Sequence, residues 1–344
     1  MKFSIGYQLP DEDDSIWEIA RDYREHLSGV YFALPAQPNA RSAIDARAGE
    51  AMMEELRAIS DLGLPHTLLY NANCYGGRAI SGDFREEIAR SVSRAMDRLD
   101  LREITTTSPF VAMVVKQRFA TLKVCASVNM WIGTPQAMDQ LGDDFDSFYL
   151  QREFNRDFDR LERVKRWCDD HGKQLKLLAN SGCMYMCAFH TFHDNLVAHE
   201  AEAAALGNAF SPSPSPCWDY MRGRPADEAA ASFLRSSWIH PRDAARYAPY
   251  CSEMKLATRM HSNPRRVVMA YALGRFHGNL LDLTEPSYAM RFAGHILDAE
   301  RMPPDWFEHT TRCGHRCEHC GYCLEAARTM LVKKTDLMNM YCSG

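Results

Sequence analysis

Eight of the twelve cysteines in this chain fall into two groups whose spacing suits a metal centre. The first holds Cys183 and Cys187 in the run Asn-Ser-Gly-Cys-Met-Tyr-Met-Cys, with Cys217 further on and Cys74 far upstream. The second holds Cys313, Cys317, Cys320 and Cys323, packed into eleven residues near the C-terminus. Thiolates are soft ligands, and four of them suit a [4Fe–4S] cluster or a structural zinc. Gly182 lets the first loop curl around such a centre. Cys217, in Pro-Ser-Pro-Cys-Trp, reads as part of a loop too irregular to be core and is the expected third ligand. Cys74, in Asn-Ala-Asn-Cys-Tyr-Gly-Gly, is the expected fourth, with His190, His193 or an exogenous group as alternatives.

At the C-terminal group a second [4Fe–4S] cluster is expected, because one cluster site already stands in the chain; zinc is the alternative. Its first three cysteines have the spacing of radical S-adenosylmethionine enzymes. That reading fails on position and on count. Those enzymes carry the triad after the first barrel strand, and a fourth thiolate would occupy the iron that must stay open. Cys125, Cys168, Cys251 and Cys342 have no partner at metal spacing and read as structural, as buried free cysteines commonly are.

Other polar groups gather near the first set. His190 and His193 leave Cys187 along Cys-Ala-Phe-His-Thr-Phe-His and are candidate acid–base groups. Lys255 and Arg259 lie at and just after a short strand-like run, where a charge costs free energy unless it is paired or used. They are the candidate anion-binding pair. Tyr7 and Asn71 are weaker candidates for the same region.

The elements that must position these residues alternate. Strands are expected over Lys2–Gln8, Gly29–Leu34, His66–Asn71, Arg102–Thr107, Thr121–Val128, Ser147–Leu150, Gln174–Asn180 and Met254–Ala257. Helical periodicity falls between them, over Ser15–Leu27 (Ser15 as N-cap), Ala43–Leu62, Asp83–Leu99, Phe110–Phe119, Pro135–Gln140, Phe158–His171 and Pro264–Phe276. From Cys183 to about Arg235 the chain reads as an irregular insertion. Its Ser-Pro-Ser-Pro-Ser-Pro run at 211–216 excludes helix and central strand. Eight βα units make a (β/α)8 TIM-like barrel over residues 1–282, with a cysteine-rich C-terminal extension over 283–344. In such barrels the active site sits at the C-terminal strand ends, which is where Cys74 and Cys183 fall.

The 344 residues, 46% apolar and 25% charged, are ordinary for a globular protein. Neither a signal peptide nor a run of about 20 apolar residues is present, so a cytoplasmic protein without a membrane partner is expected. There, clustered cysteines more often bind metal than form disulfides. A net charge of −5 with no long basic run argues against a large nucleic-acid footprint, though a local patch for RNA stays open.

Three blocks resemble a known family. They are Asn180-Ser-Gly-Cys-Met-Tyr-Met-Cys187 with His193, Trp238-Ile-His-Pro-Arg-Asp243, and Met254-Lys-Leu-Ala-Thr-Arg259. In order and spacing they are similar to blocks of the collagenase-like peptidase superfamily of undefined catalytic type, in particular its barrel-only iron–sulfur members. The resemblance spans roughly residues 1–280. It implies a TIM-like barrel and a [4Fe–4S] cluster held by four cysteines, carried onto Cys183, Cys187, Cys74 and Cys217. It also implies oxygen-independent hydroxylation or a related oxidative modification of a small molecule or RNA, with a prephenate-like co-substrate and with a homologous subunit or electron donor as partner. Ala188 departs from the pattern where relatives have proline. The peptidase signature's glycine- and serine-rich block is absent, and no Ser/His/Asp, His-Glu-x-x-His or evident Cys/His nucleophile pattern replaces it. A metal-stabilised hydrolase or peptidase, and a non-catalytic subunit of a heteromeric iron–sulfur enzyme, are the alternative functions.

Overall fold

A computed structural model describes residues 1–10, 14–35, 37–39, 48–206, 215–292 and 294–334. Eight strands close into a parallel barrel in sequence order: β1 (Lys2–Gly6), β2 (Leu27–Phe32), β3 (His66–Tyr70), β4 (Leu101–Thr106), β5 (Lys123–Ala126), β6 (Ser147–Tyr149), β7 (Gln174–Leu178) and β8 (Glu253–Leu256). Ile5 shows the closure, pairing with Val30 of β2 on one side and Leu256 of β8 on the other. Strands covered on both faces tend to carry apolar runs, as β2 (Leu-Ser-Gly-Val-Tyr-Phe) and β3 (His-Thr-Leu-Leu-Tyr) do in their second halves. The expected TIM-like fold is present, with each strand ending one or two residues before its expected end.

The helices begin where side chains can satisfy their first amides. α1 (Ile16–Asp22) starts with a capping box between Ser15 and Glu18. α2 (Gly49–Asp61) follows, and the expected start at Ala43 lies outside the described residues. Ser81, Ser108, Thr134 and Asp157 cap α3 (Gly82–Arg98), α4 (Pro109–Arg118), α5 (Pro135–Asp139) and α6 (Phe158–Asp170).

The segment after β7 is not irregular. It forms α7 (His190–Ala198), α8 (Glu200–Leu206), α9 (Pro216–Arg222) and α10 (Ala226–Arg235). Residues 211–214 of the Ser-Pro run lie outside the described residues. Pro216, however, opens a helix, because the first helical position needs no N–H. α11 (Pro264–Leu273) ends before the expected Phe276, at Gly274 in the left-handed conformation (φ 64°).

The tail returns to the barrel. β9 (His295–Leu297) pairs antiparallel with β10 (Leu331–Lys333), and α12 (Trp306–Thr310) and α13 (Tyr322–Met330) lie between them in sequence. Trp306 stacks on Trp238 at 5.8 Å, and both belong to the same apolar core as the barrel strands. Inside the barrel, Lys176 of β7 pairs with Glu103 of β4 at 2.8 Å and Glu253 of β8 at 3.0 Å. Among the described residues no helix is long and apolar enough to cross a membrane.

Candidate functional site

The C-terminal ends of β2, β3, β5, β7 and β8, with the turn after β6, surround a recess of about 420 Å³ that opens to solvent. Three cations face it: Arg152, Lys255 and Arg259, with 6%, 9% and 8% of their surfaces exposed. Tyr31, Asn71, Asn129 and the Glu285 carboxylate complete its polar lining. The recess is thus lined by one carboxylate and three cations. The Lys255 ammonium lies over the Tyr31 ring, 3.7 Å from its centroid, and Tyr31 donates its hydroxyl proton to the Leu256 carbonyl. Gly6 makes the room: a Cβ there would meet the Tyr31 ring at 2.7 Å and Arg259 Cγ at 2.8 Å. Arg259 donates to Asn39. Nearby, Glu253 pairs with Lys176 and Asp282 with Arg266. Tyr7 does not line the recess; it donates to Glu55 at 2.8 Å.

Arg152 carries the geometry into the cysteine loop. It sits in the short turn after β6, and its guanidinium reaches Cys183 Sγ at 3.4 Å and Ser181 Oγ at 3.5 Å. It also meets His190 Nε2 and packs over the Trp131 ring at 5.3 Å. His190 is held against Asp194 at 3.1 Å, and burial together with Arg152 lowers its pKa, with Asp194 opposing. Its Nδ1 has no hydrogen-bond partner. His193 lies one turn on and does not line the recess.

Cys183, Cys187 and Cys217 lie near enough to one another and to the buried Tyr288 to perturb each other's ionisation. Cys217 comes from the first turn of α9 rather than from a loop. Burial, and then its two thiol neighbours, push it up to about 11. The Cys74 Sγ accepts from the Gly76 amide at 3.4 Å. Gly182 has a different role from the one expected. Close approach demands it: a Cβ there would stand 2.3 Å from the Pro286 carbonyl oxygen.

All four C-terminal cysteines line a second recess of about 390 Å³, together with Arg156, Arg235, His309, His315 and Arg316. Arg156 is buried beside the Trp238 and Trp306 rings and donates to the Trp238 and Leu234 carbonyls. The two cysteine groups are neighbours, because Tyr185, between Cys183 and Cys187, stacks on His315, between Cys313 and Cys317, at 4.1 Å and 4°. Cys125, Cys168 and Cys251 are buried, and Cys342 lies outside the described residues.

Among the described residues no three His, Cys, Asp or Glu side chains converge tightly enough to hold a single metal ion. The described non-glycine residues at positive φ are Trp131 (59°), Met186 (48°) and His315 (53°). Each costs local strain, and each sits at one of these sites.

Sequence reading missed Arg152, Trp131, Tyr288 and Glu285. The one available signal was the run Arg-Glu-Phe-Asn-Arg directly after a strand end. No protein-family model and no curated protein matches the chain. Solved structures do. A glycoside hydrolase family 5 mannosidase from Rhizomucor miehei is 7% identical, with a TM-score of 0.42 over 79% of this chain and 92% of its own. The U32 peptidase Mk0906 is 14% identical, with a TM-score of 0.54 over 75% of this chain and 92% of its own. At that identity the likeness is one of fold, and this chain is similar to a U32 peptidase in its barrel.

Proposed function

We propose that the chain is an iron–sulfur oxidoreductase that carries out oxygen-independent hydroxylation, or a related oxidative modification, of a small molecule or RNA at the barrel mouth. One observation carries the reading: Arg152 touches Cys183 and also lines the three-cation recess, so a centre at the cysteine loop and an anion at the mouth would share one guanidinium. The resemblance of the three sequence blocks and the barrel shared with a U32 peptidase agree with it.

The donor set fits a cluster. Cys183, Cys187 and Cys217 offer three soft ligands near the buried Tyr288, and the C-terminal recess offers four beside Arg156, Arg235 and Arg316. Sulfurs spread around a recess suit separate irons of a [4Fe–4S] cluster better than one zinc, which needs every sulfur about 2.3 Å from a single point. A bound cluster would supply one-electron transfer. The chain's own residues do the rest. Lys255, Arg259 and Arg152 hold and orient an anionic co-substrate such as prephenate, or an anionic part of the substrate. His190 holds a proton beside them. Trp131 covers Arg152 and His190.

Anaerobic purification with iron, sulfide and zinc analysis tests this. Two clusters would bring roughly eight irons per chain, a brown colour and an electron paramagnetic resonance signal on reduction. A colourless protein that holds only zinc after anaerobic reconstitution would remove the redox reading.

A further inference from the structure

The barrel interior holds two lysines in different surroundings. Lys176 on β7 is fixed by two carboxylates, Glu103 at 2.8 Å and Glu253 at 3.0 Å. Lys255 on β8 lies one residue from the strand's C-terminal end, where barrel enzymes place their chemistry, and it lines the mouth recess together with Arg152 and Arg259. Its ammonium stands 3.7 Å from the Tyr31 ring centroid and 5.6 Å from that of Tyr149, and both rings are buried. A lysine amine becomes a nucleophile where it is desolvated or stands beside other cations. Lys255 meets both conditions, with 9% of its surface exposed and two guanidiniums on the same recess. The rings pull the other way, because a ring face favours the ammonium, but they also hold the nitrogen in one place. Arg152 and Arg259 carry the planar donor forks that suit a carboxylate. A molecule that satisfies both the forks and the amine has a carboxylate with a carbonyl beside it, which is a 2-oxo acid.

We propose that Lys255 forms a Schiff base with a small 2-oxo acid whose carboxylate is held by Arg152 and Arg259. The site is the recess that the reading above gives to an anion, and the step needs no iron. Glu285 lines the same recess, with its Oε2 accepting from the Met260 amide at 3.0 Å. Its carboxylate takes a proton from the Lys255 ammonium. The nitrogen lone pair then forms a bond to the keto carbon, and the carbonyl electron pair moves onto its oxygen, which takes a proton from the nitrogen. Glu285 returns its proton to that hydroxyl, the carbon–oxygen bond breaks, and water leaves. The product is a protonated imine, and nothing is oxidised or reduced.

The test uses the anaerobic full-length protein, pyruvate and sodium cyanoborohydride, read by peptide-level mass spectrometry. Cyanoborohydride donates hydride to the imine and leaves a carboxyethyl group on the amine. A carboxylate held in the recess presents its carbonyl to Lys255 at an effective concentration far above that in solution, so the mark on Lys255 should exceed that on the exposed Lys123 by about tenfold or more. Lys176, held by its two carboxylates, should stay unmarked. Malonate, which has no keto group, should suppress the Lys255 mark and leave the Lys123 background unchanged. Lys255→Arg keeps the charge but can form no imine, so it should lose the mark while still binding malonate. The parent measurements need no variant to fold. If Lys255 is marked no more than Lys123 in protein that binds malonate by calorimetry, the Schiff base is overturned and the anion site stands. A Lys255 mark that malonate does not suppress also overturns it, because the amine would then react without the carboxylate clamp. Absence of both the mark and malonate binding would remove the anion reading as well.

Discussion

Replacing Arg152 separates a binding role from a structural one, because its contacts point in both directions. On the ligand side, its guanidinium lines the recess with Lys255 and Arg259. A hydrogen bond to a charged group contributes about 1.5–3 kcal/mol. At about 1.4 kcal/mol per tenfold, Arg152→Met should weaken an anion by roughly 10- to 150-fold. Arg152→Lys keeps the charge but loses the planar fork, so it should recover only part of that. On the structural side, Arg152 stands 3.9 Å from the buried Glu153. Burial already raises the Glu153 pKa while Arg152 holds it down. Without the guanidinium, Glu153 takes up a proton, which caps the stability loss at about 1–3 kcal/mol. The assay is calorimetric titration of the anaerobic protein with prephenate, and with malonate as a plain dicarboxylate, alongside thermal melts of the same samples. Arg259→Lys and Lys255→Met should show the same pattern. A fall in melting temperature with affinity unchanged within twofold, in protein that is still folded, would refute the anion site.

The two cysteine groups should behave as two centres: Cys183→Ala or Cys187→Ala should lose about half the iron, Cys317→Ala or Cys320→Ala the other half. Joint loss from either, with the fold intact, would mean one shared centre. Lys176→Met strands Glu103 and Glu253 inside the barrel and should cost about 3–5 kcal/mol by denaturant unfolding; a loss under 1 kcal/mol would mean water reaches that layer. His66 is buried and its pKa is lowered to about 4. The unfolded chain therefore binds a proton near pH 6.5 that the folded chain refuses, and this costs roughly 3 kcal/mol of stability as pH falls from 6.5 to 4. His66→Leu should flatten that part of the acid-unfolding curve, and an unchanged slope would exclude His66 as its source.

Much of the barrel was legible because its signal is local. Runs such as Val-Tyr-Phe and Leu-Leu-Tyr are strands buried on both faces, and Ser15, Ser81 and Ser108 mark helix starts by their own hydrogen bonds. Lys255 and Arg259 could be placed because a charge on or beside a buried strand needs a use. The helices after β7 were lost to the Ser-Pro run. Ala-Asp-Glu-Ala-Ala-Ala-Ser-Phe-Leu-Arg is made of strong helix formers, but a neighbouring proline was read as a breaker where Pro216 is an initiator. Arg152 was lost because β6 is only three residues long and its following turn carries no motif.

What brings the two cysteine groups together is a set of backbone constraints rather than any property of cysteine. Asn180 lies two residues after β7, with its side chain tied to both the Ala257 amide and carbonyl after β8 and to the Leu283 carbonyl. That one amide fixes the start of the cysteine loop to the neighbouring strand and to the entry of the tail. Next, Gly182 donates to the Glu285 carbonyl at 3.0 Å and lies against Pro286 with no space for a Cβ. The tail therefore leaves the barrel pressed against the Cys183 loop, and the Trp238–Trp306 stack with Arg156 between the two regions docks its far end. With both ends held, Tyr185 and His315 meet face to face, and Met186 and His315 take the left-handed backbone that the meeting requires. Left-handed conformations at non-glycine residues persist only where surrounding contacts over-determine them. Gly182→Ala acts on the first of these ties. It should displace the loop and the tail together, changing Cys183 and Cys317 accessibility to alkylation in the same variant, where a change at Cys183 alone would show that the tail is held independently.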